Sequence, residues 1–439
     1  MATTIRTDCE GFHRRDFLKV GTAGLLGLGL ADWLRLEAQG AAASKGKRKA
    51  TGVIMVWLAG GPSTIDMWDM KPEAPENIRG EFKPIATSAK GIRICEHLPR
   101  TAKVLDRCAL VRSLHHNIPE HGVGTTYMTT GNRPGLTMEY PALGSIAAKV
   151  LTPPAGLPAY VTFSALRNGG FVSNAGFLGT AYNPFEVQGN PERGKLTVPG
   201  VALPDGFSLK DLENRTKLMR TFDEGFKTLD REDLPASLDR FQQQALDILR
   251  SNKTRKAFDL RAEPASLRDG YGRSPFGQSA LVARRLIEAG VRFVTIGLGG
   301  WDTHGNNFGI LRGQLLPQLD QTLAALIADL DRRHLLDQTL VYCAGEFNRT
   351  PQINSGAGRD HWARSMAVLL AGGGLPRGFV HGSTDRQGMA PAQDPCSPDD
   401  VSATLFHHLG VPPSHEVRTA SGRPVAIFRK GKVIGKLLG

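Results

Sequence analysis

The chain has 439 residues, 41% hydrophobic and 22% charged, and its 54 Lys and Arg against 42 Asp and Glu give a net charge of +12. These proportions exclude a chain that is disordered throughout, and the length suits one large α/β domain or two smaller ones. The positive balance favours anionic partners, but the basic residues are scattered and no nucleic-acid motif accompanies them, so nucleic acid is not expected as a partner.

The N-terminus reads as a targeting segment. Arg14-Arg15-Asp16-Phe17-Leu18-Lys19 has the twin-arginine pattern of an export signal. An apolar stretch from Val20 to Leu30 and small residues at Ala38-Gln39-Gly40-Ala41-Ala42-Ala43 follow it. Residues 1–43 are therefore expected to engage the twin-arginine translocase and send the chain to a periplasmic or extracytoplasmic location. Cleavage near Ala41 to Lys45 and retention as an anchor both remain open. The apolar stretch is shorter than the roughly 20 residues a membrane helix needs, and no later segment is longer, so no transmembrane helix is expected in the mature chain. Cys95, Cys108, Cys343 and Cys396 remain after this segment with no CxxC spacing, so no disulfide framework is expected.

Gly52–Ala59 is a continuous apolar run closed by Gly60-Gly61-Pro62, the pattern of a buried parallel strand and its loop. Cys108–Ser113 is a second strand, and residues 122–131 start a helix. From Thr152 to Asp205, Pro and Gly recur and turns dominate, while 207–260 is polar and periodic, hence helical. An insertion or cap over about 152–270 is expected. Gln278–Ala289 is a helix stopped by Gly290, and Val291–Ile296 a strand. A Gly-rich loop over 297–307 precedes a long amphipathic helix, Leu311–Arg333. Strands at Thr339–Cys343 and Met366–Leu370 flank a loop at 344–364, and Val401–Leu409 is a final helix. This alternation predicts βαβ units in a doubly wound, mostly parallel α/β sheet, with 44–439 as a single domain.

In such a sheet the site forms in loops beyond the carboxyl ends of the strands. Those loops carry Ser63, Thr64, Asp66 and Asp69; His115, His116, Asn117, Glu120 and His121; Asp302, His304 and Asn306; and Glu346, Arg349, Arg359, Asp360 and His361. Imidazoles and carboxylates converging from separate loops suit a Zn²⁺- or Mn²⁺-type site. Asp302, His304 and His361 are the leading ligands. Arg349 and Arg359 could clamp an oxyanion or pair with the site carboxylates.

Gly60-Gly61-Pro62-Ser63, Trp301-Asp302-Thr303-His304, Gly345-Glu346-Phe347-Asn348-Arg349-Thr350-Pro351 and Gly358-Arg359-Asp360-His361-Trp362 resemble a family of twin-arginine-exported, sulfatase-like bacterial proteins of unknown function. More broadly, the chain resembles the alkaline phosphatase, sulfatase and cofactor-independent phosphoglycerate mutase superfamily over roughly residues 50–412. The resemblance implies an alkaline-phosphatase-like fold and one or two divalent ions. It gives one ion Asp302, His304 and His361, although Asp-x-His here replaces the usual Asp-x-x-x-His. The second ion would take an early Asp, the nucleophile and an Asp-His pair. The pair corresponds to Glu346-Phe347, Phe cannot ligate, and Asp66 is the available early acid. Ten residues before Gly131, where the resemblance puts a hydroxyl nucleophile, stands His121. It is read as nucleophile or as ligand, with Thr125 or Thr126 as the nucleophile if the count shifts. Arg349 would assist catalysis there. The implied function is an exported metal-dependent hydrolase of phosphate or sulfate esters, acting on a small anionic ester or an envelope polymer. The alternatives are a non-catalytic metal- or anion-binding descendant, or a surface protein docking on an envelope polymer by charge.

Overall fold

The structure, a computed structural model, describes residues 50–135, 138–163, 174–190, 195–197, 251–419 and 421–439. The export signal expected at 1–43 and most of the helical stretch expected over 207–260 lie outside these residues. Among the described residues no helix is long and apolar enough to cross a membrane.

A nine-stranded sheet organises the chain from Lys49 onward. Its strands are β1 (Gly52–Ala59), β2 (Cys108–Leu114), β3 (Tyr160–Phe163), β4 (Phe185–Asn190), β5 (Lys195–Thr197), β6 (Phe293–Gly299), β7 (Thr339–Ala344), β8 (Met366–Ala371) and β9 (Phe379–His381), in the spatial order β9-β2-β8-β7-β1-β6-β3-β4-β5. β1 lies at the centre, parallel to β6 on one side and β7 on the other. Every residue of β1 is buried, which is why its sequence is apolar without alternation. Ile54, Val56 and Leu58 face one core and Val53, Met55, Trp57 and Ala59 the other. The first core is closed by the helices α3 (Pro275–Ala289) and α4 (Leu316–Arg332), and the second by α1 (His121–Thr130), α2 (Leu143–Val150) and α5 (Pro398–His408). The sheet is thus wound on both faces, and the α/β, mostly parallel expectation holds.

The structure refines several boundaries. Three strands inside the stretch read as an insertion, β3 to β5, extend the main sheet. β8 runs antiparallel to both β2 and β7. The chain between β7 and β8 makes no crossover helix. It stays at the carboxyl edge as a short ribbon, Asn348–Arg349 paired with His361–Trp362, so β8 must start from that edge and run back. The helix expected over Leu311–Arg333 opens with a π-turn at Leu311–Leu315 before α4. Pro317 explains the break, because its ring has no N–H and crowds the preceding turn. α3 starts earlier than expected, where the Ser274 side chain accepts from the Gly277 amide.

Candidate metal centre

β1, β2, β6 and β7 run in one direction, so the loops that follow them meet at one edge of the sheet. Close approach of these loops depends on Gly60 and Gly61, with φ of +116° and +73°. A Cβ on Gly60 would stand 2.5 Å from the Asp302 amide nitrogen, and one on Gly61 2.5 Å from the Phe347 ring.

Asp302, His304 and His361 stand together in the space this creates. His304 Nε2 lies 3.0 Å from Asp302 Oδ1 and 3.0 Å from His361 Nε2, and His361 Nε2 lies 3.2 Å from Asp302 Oδ1. The other imidazole nitrogens are anchored outward. His361 Nδ1 donates to the Pro119 carbonyl at 2.8 Å and His304 Nδ1 to Asp360 Oδ1 at 2.8 Å. A carbonyl and a carboxylate only accept, so in a neutral imidazole these contacts put the proton on Nδ1 and leave Nε2 as a lone-pair donor facing Asp302. Two imidazole lone pairs facing each other and a carboxylate repel unless a cation sits among them, and Arg349 answers only the carboxylate's part of that charge, at Asp302 Oδ1. Tetrahedral nitrogen and oxygen ligands about 2.0–2.1 Å from a zinc ion stand about 3.3 Å apart, close to the spacing found here. The donor set fits a divalent ion.

His121 joins the same cluster. Its ligating atom lies within 4.8 Å of those of Asp302 and His361. It is the first residue of α1, where the Glu120 side chain caps the helix by accepting from the Gly122 and Val123 amides at 2.8 and 2.7 Å. Those amides are consequently unavailable to a ligand. His121 Nδ1 donates to Glu346 Oε1 at 2.6 Å, and Nε2 lies 3.4 Å from Asp302 Oδ2. The hydrogen bond that His121 donates to fully buried Glu346 raises the His121 pKa. Glu346 Oε1 also accepts from the Gly60 amide at 2.9 Å, whereas Oε2 is buried with no hydrogen-bond partner. That orphan acceptor beside the imidazoles is a second mark of a site built for positive charge. Phe347 packs its ring 4.9 Å from that of His121 and 4.5 Å from that of His361, filling the place where the resemblance expects a ligand.

The remaining expected residues divide. Arg349, fully buried, donates from Nε to the Gly61 carbonyl at 2.8 Å, from Nη1 to the Arg359 carbonyl at 3.2 Å, and from Nη2 to the Gly60 carbonyl and Asp302. Burial opposes ionisation of Asp302, but Arg349 outweighs it and holds the carboxyl at about 2. Arg349 thus positions Asp302 rather than presenting a free fork to a substrate. Asp66 and Arg359 depart from the expected metal and oxyanion roles. Arg359 meets Asp66 through both carboxylate oxygens, at 2.7 and 2.8 Å, and sends its other N–H groups to the carbonyls of Ile78, Thr350 and Pro351. Ser63 and Asn307 also donate to Asp66 Oδ2, at 2.6 and 2.9 Å. This pair is buried, with both Asp66 oxygens engaged and every Arg359 N–H already donated within the protein. Of the alternative nucleophiles, Thr125 is fully buried and the Thr126 hydroxyl donates to the Gly122 carbonyl at 2.8 Å.

Sequence reasoning missed the anchors. Asp360 and the Pro119 carbonyl fix the imidazoles, and only the adjacency of Asp360 to His361 hinted at this.

A profile of the family described as "Protein of unknown function (DUF1501)" matches residues 50–438. Comparison with curated proteins gives no match. Among solved structures, similarity is found to the PsFucS1 sulfatase from Pseudoalteromonas sp., with 13% identity over 85% of this chain and 72% of that one at a TM-score of 0.36. Alkaline phosphatase from the Antarctic bacterium TAB5 shows 12% identity over 82% and 97%, with a TM-score of 0.34. The lipoteichoic acid synthase LtaP from Listeria monocytogenes shows 8% identity over 89% and 80%, also at 0.34. Scores this low add nothing to the topology described above.

Proposed function

This chain belongs to the DUF1501 family, and we propose that it is an exported metal-dependent hydrolase of phosphate or sulfate esters. The observation that carries the proposal is the convergence of His304 Nε2, His361 Nε2 and Asp302 Oδ1 within 3.0–3.2 Å of one another, with both Nδ1 atoms anchored away. These three residues would hold a Zn²⁺ or Mn²⁺ ion, with His121 as a further ligand or as the attacking group. An ion bound there supplies Lewis-acid polarisation and charge neutralisation of the transferring group. Asp302 stays ionised across the physiological range because Arg349 holds it so. Glu346 fixes the His121 ring through Nδ1 and leaves Nε2 directed into the cluster. As a nucleophile, His121 Nε2 would form the bond to phosphorus while the ester oxygen departs with its bonding pair, and Glu346 would stabilise the imidazolium. As a ligand it would leave the attack to water.

The test is a panel of aryl phosphate and aryl sulfate esters offered to the chelator-stripped protein and to the same protein reloaded with Zn²⁺ or Mn²⁺. Hydrolysis only after reloading is the expected result. An acid-labile phosphohistidine then marks the His121 nucleophile, and its absence marks water attack. A loaded protein that cleaves no ester in the panel would overturn the hydrolase reading. The second reading, a non-catalytic metal-binding descendant, is favoured by one observation: buried Phe347 occupies the place of a ligand between His121 and His361.

A further inference from the structure

A cleft of about 580 Å³ opens beside the metal centre, lined among others by His115, His116, Asn117, Tyr127, Arg133 and Arg364. It shares a wall with the centre. The His116 amide donates to the Ala363 carbonyl at 2.8 Å, and its Nε2 donates to the Glu346 carbonyl at 2.7 Å. Arg364 is three residues beyond His361, at most about 10 Å along the backbone.

The lining is one-sided in charge. Among the described residues no carboxylate lines the cleft. Arg133 and Arg364 are exposed, and among the described residues neither makes an ion pair. Arg364 lies over the Trp362 ring at 5.6 Å, which braces the guanidinium without neutralising it. The nearby acids are already engaged, since Asp399 accepts from the Tyr127 hydroxyl and Asp400 caps α5 with Ser397. His115 Nδ1 is buried without a partner. His116 is neutral, because burial pushes its pKa down to about 4 and Nδ1 accepts from the Ile118 amide at 3.2 Å. Two guanidinium groups with no ion-pair partner among the described residues, set around one concave space, are the complement of an oxyanion.

We propose that this cleft binds a second oxyanion, a sulfate or phosphate, carried by the same substrate whose ester meets the metal centre. The substrate is then multiply charged, with one anionic group in the cleft and its scissile ester at the metal centre. The link to catalysis rests on the hydrolase reading; the binding itself does not.

The experiment measures binding to the full chain after chelator treatment, so that neither metal nor turnover contributes. The probes are a sulfated oligosaccharide, a linear phosphate oligomer and the neutral oligosaccharide. Wild type is compared with Arg133→Gln/Arg364→Gln, and with Lys90→Gln/Lys103→Gln, which removes the same charge at two other exposed positions. The arginine variant is expected to bind the charged probes about tenfold more weakly or worse, with the lysine variant close to wild type. A preference between the two charged probes identifies the oxyanion's source. Equal weakening in both variants would overturn the cleft, because the attraction would then belong to the overall charge. Unchanged binding in the arginine variant would do the same, and so would binding that vanishes with the metal. Hydrolysis is read separately on a monoanionic aryl ester. A protein that cleaves nothing yet loses oligosaccharide binding with Arg133 and Arg364 would defeat the hydrolase reading and leave the cleft standing.

Discussion

Replacing Asp66 by Asn separates a structural carboxylate from a metal ligand. Asp66 is 1% exposed and Arg359 fully buried, and the two share a bidentate contact. Asn keeps the shape and one acceptor but removes the charge, leaving a buried guanidinium balanced only by the carbonyls of Ile78, Thr350 and Pro351. Removing one member of a buried ion pair costs about 3–5 kcal/mol. For a cooperative unit of about 390 residues, Lys49–Gly439, an unfolding entropy near 2.1 cal/mol/K per residue gives about 0.8 kcal/mol/K, so Tm should drop by about 4–6 °C. Scanning calorimetry reads that shift, and elemental analysis of the folded variant should give the wild-type metal content. A Tm within about 1 °C of wild type together with loss of metal would refute the structural assignment and return Asp66 to the metal centre.

His361→Ala and His304→Ala should each reduce the metal content of the purified protein to near background, read by elemental analysis; full retention in both would exclude them as ligands. Asp360→Asn, which weakens the anchor of His304 and alters the contact with the Asn354 amide, should lower metal affinity by about 10–100-fold in a competition titration with a chelating dye, and unchanged affinity would show that the anchor is idle. Acid stability should depend on the network around Arg284. Burial opposes ionisation of Asp329 and Glu263, but Arg284 and its neighbouring arginines win and depress both carboxyls. Their stabilisation is therefore complete above the unfolded values of about 3.9 and 4.3 and is lost as pH falls through the lower folded values, so Tm should begin to drop below about pH 5 and drop less steeply in Asp329→Asn. Replacing Arg14 and Arg15 by Lys should hold the protein in the cytoplasm on fractionation, and unchanged export would exclude the twin-arginine route.

The sheet was legible where burial left only one option. β1 and β7 are wholly buried, so their apolar runs could be read directly as strands. The direction of β8 was not legible, because Met366–Ala371 is just as apolar as a parallel strand would be. Direction is decided by what happens between strands, and the ribbon pairing Arg349 with His361 spans only two residues on each side. A pairing that short leaves no periodicity to detect. The π-turn before α4 was signalled only by Pro317 within an otherwise continuous amphipathic pattern.

At the site, position transferred better than residue type. Counting back from Gly131 located His121 at the start of α1 because a ten-residue helix runs between two fixed ends, the Glu120 cap and the left-handed Gly131 at φ +63°. The arginines show the opposite case. Arg349 and Arg359 lie in the motifs that build the centre, yet their fully buried guanidinium groups are spent on carbonyls and on Asp302 and Asp66. A sequence shows that a charge lies near a site but not whether its partners come from the protein or from a ligand. Arg133 and Arg364 stand outside every motif that was singled out. Their interest comes from having no ion-pair partner among the described residues, a property that only the folded arrangement can display.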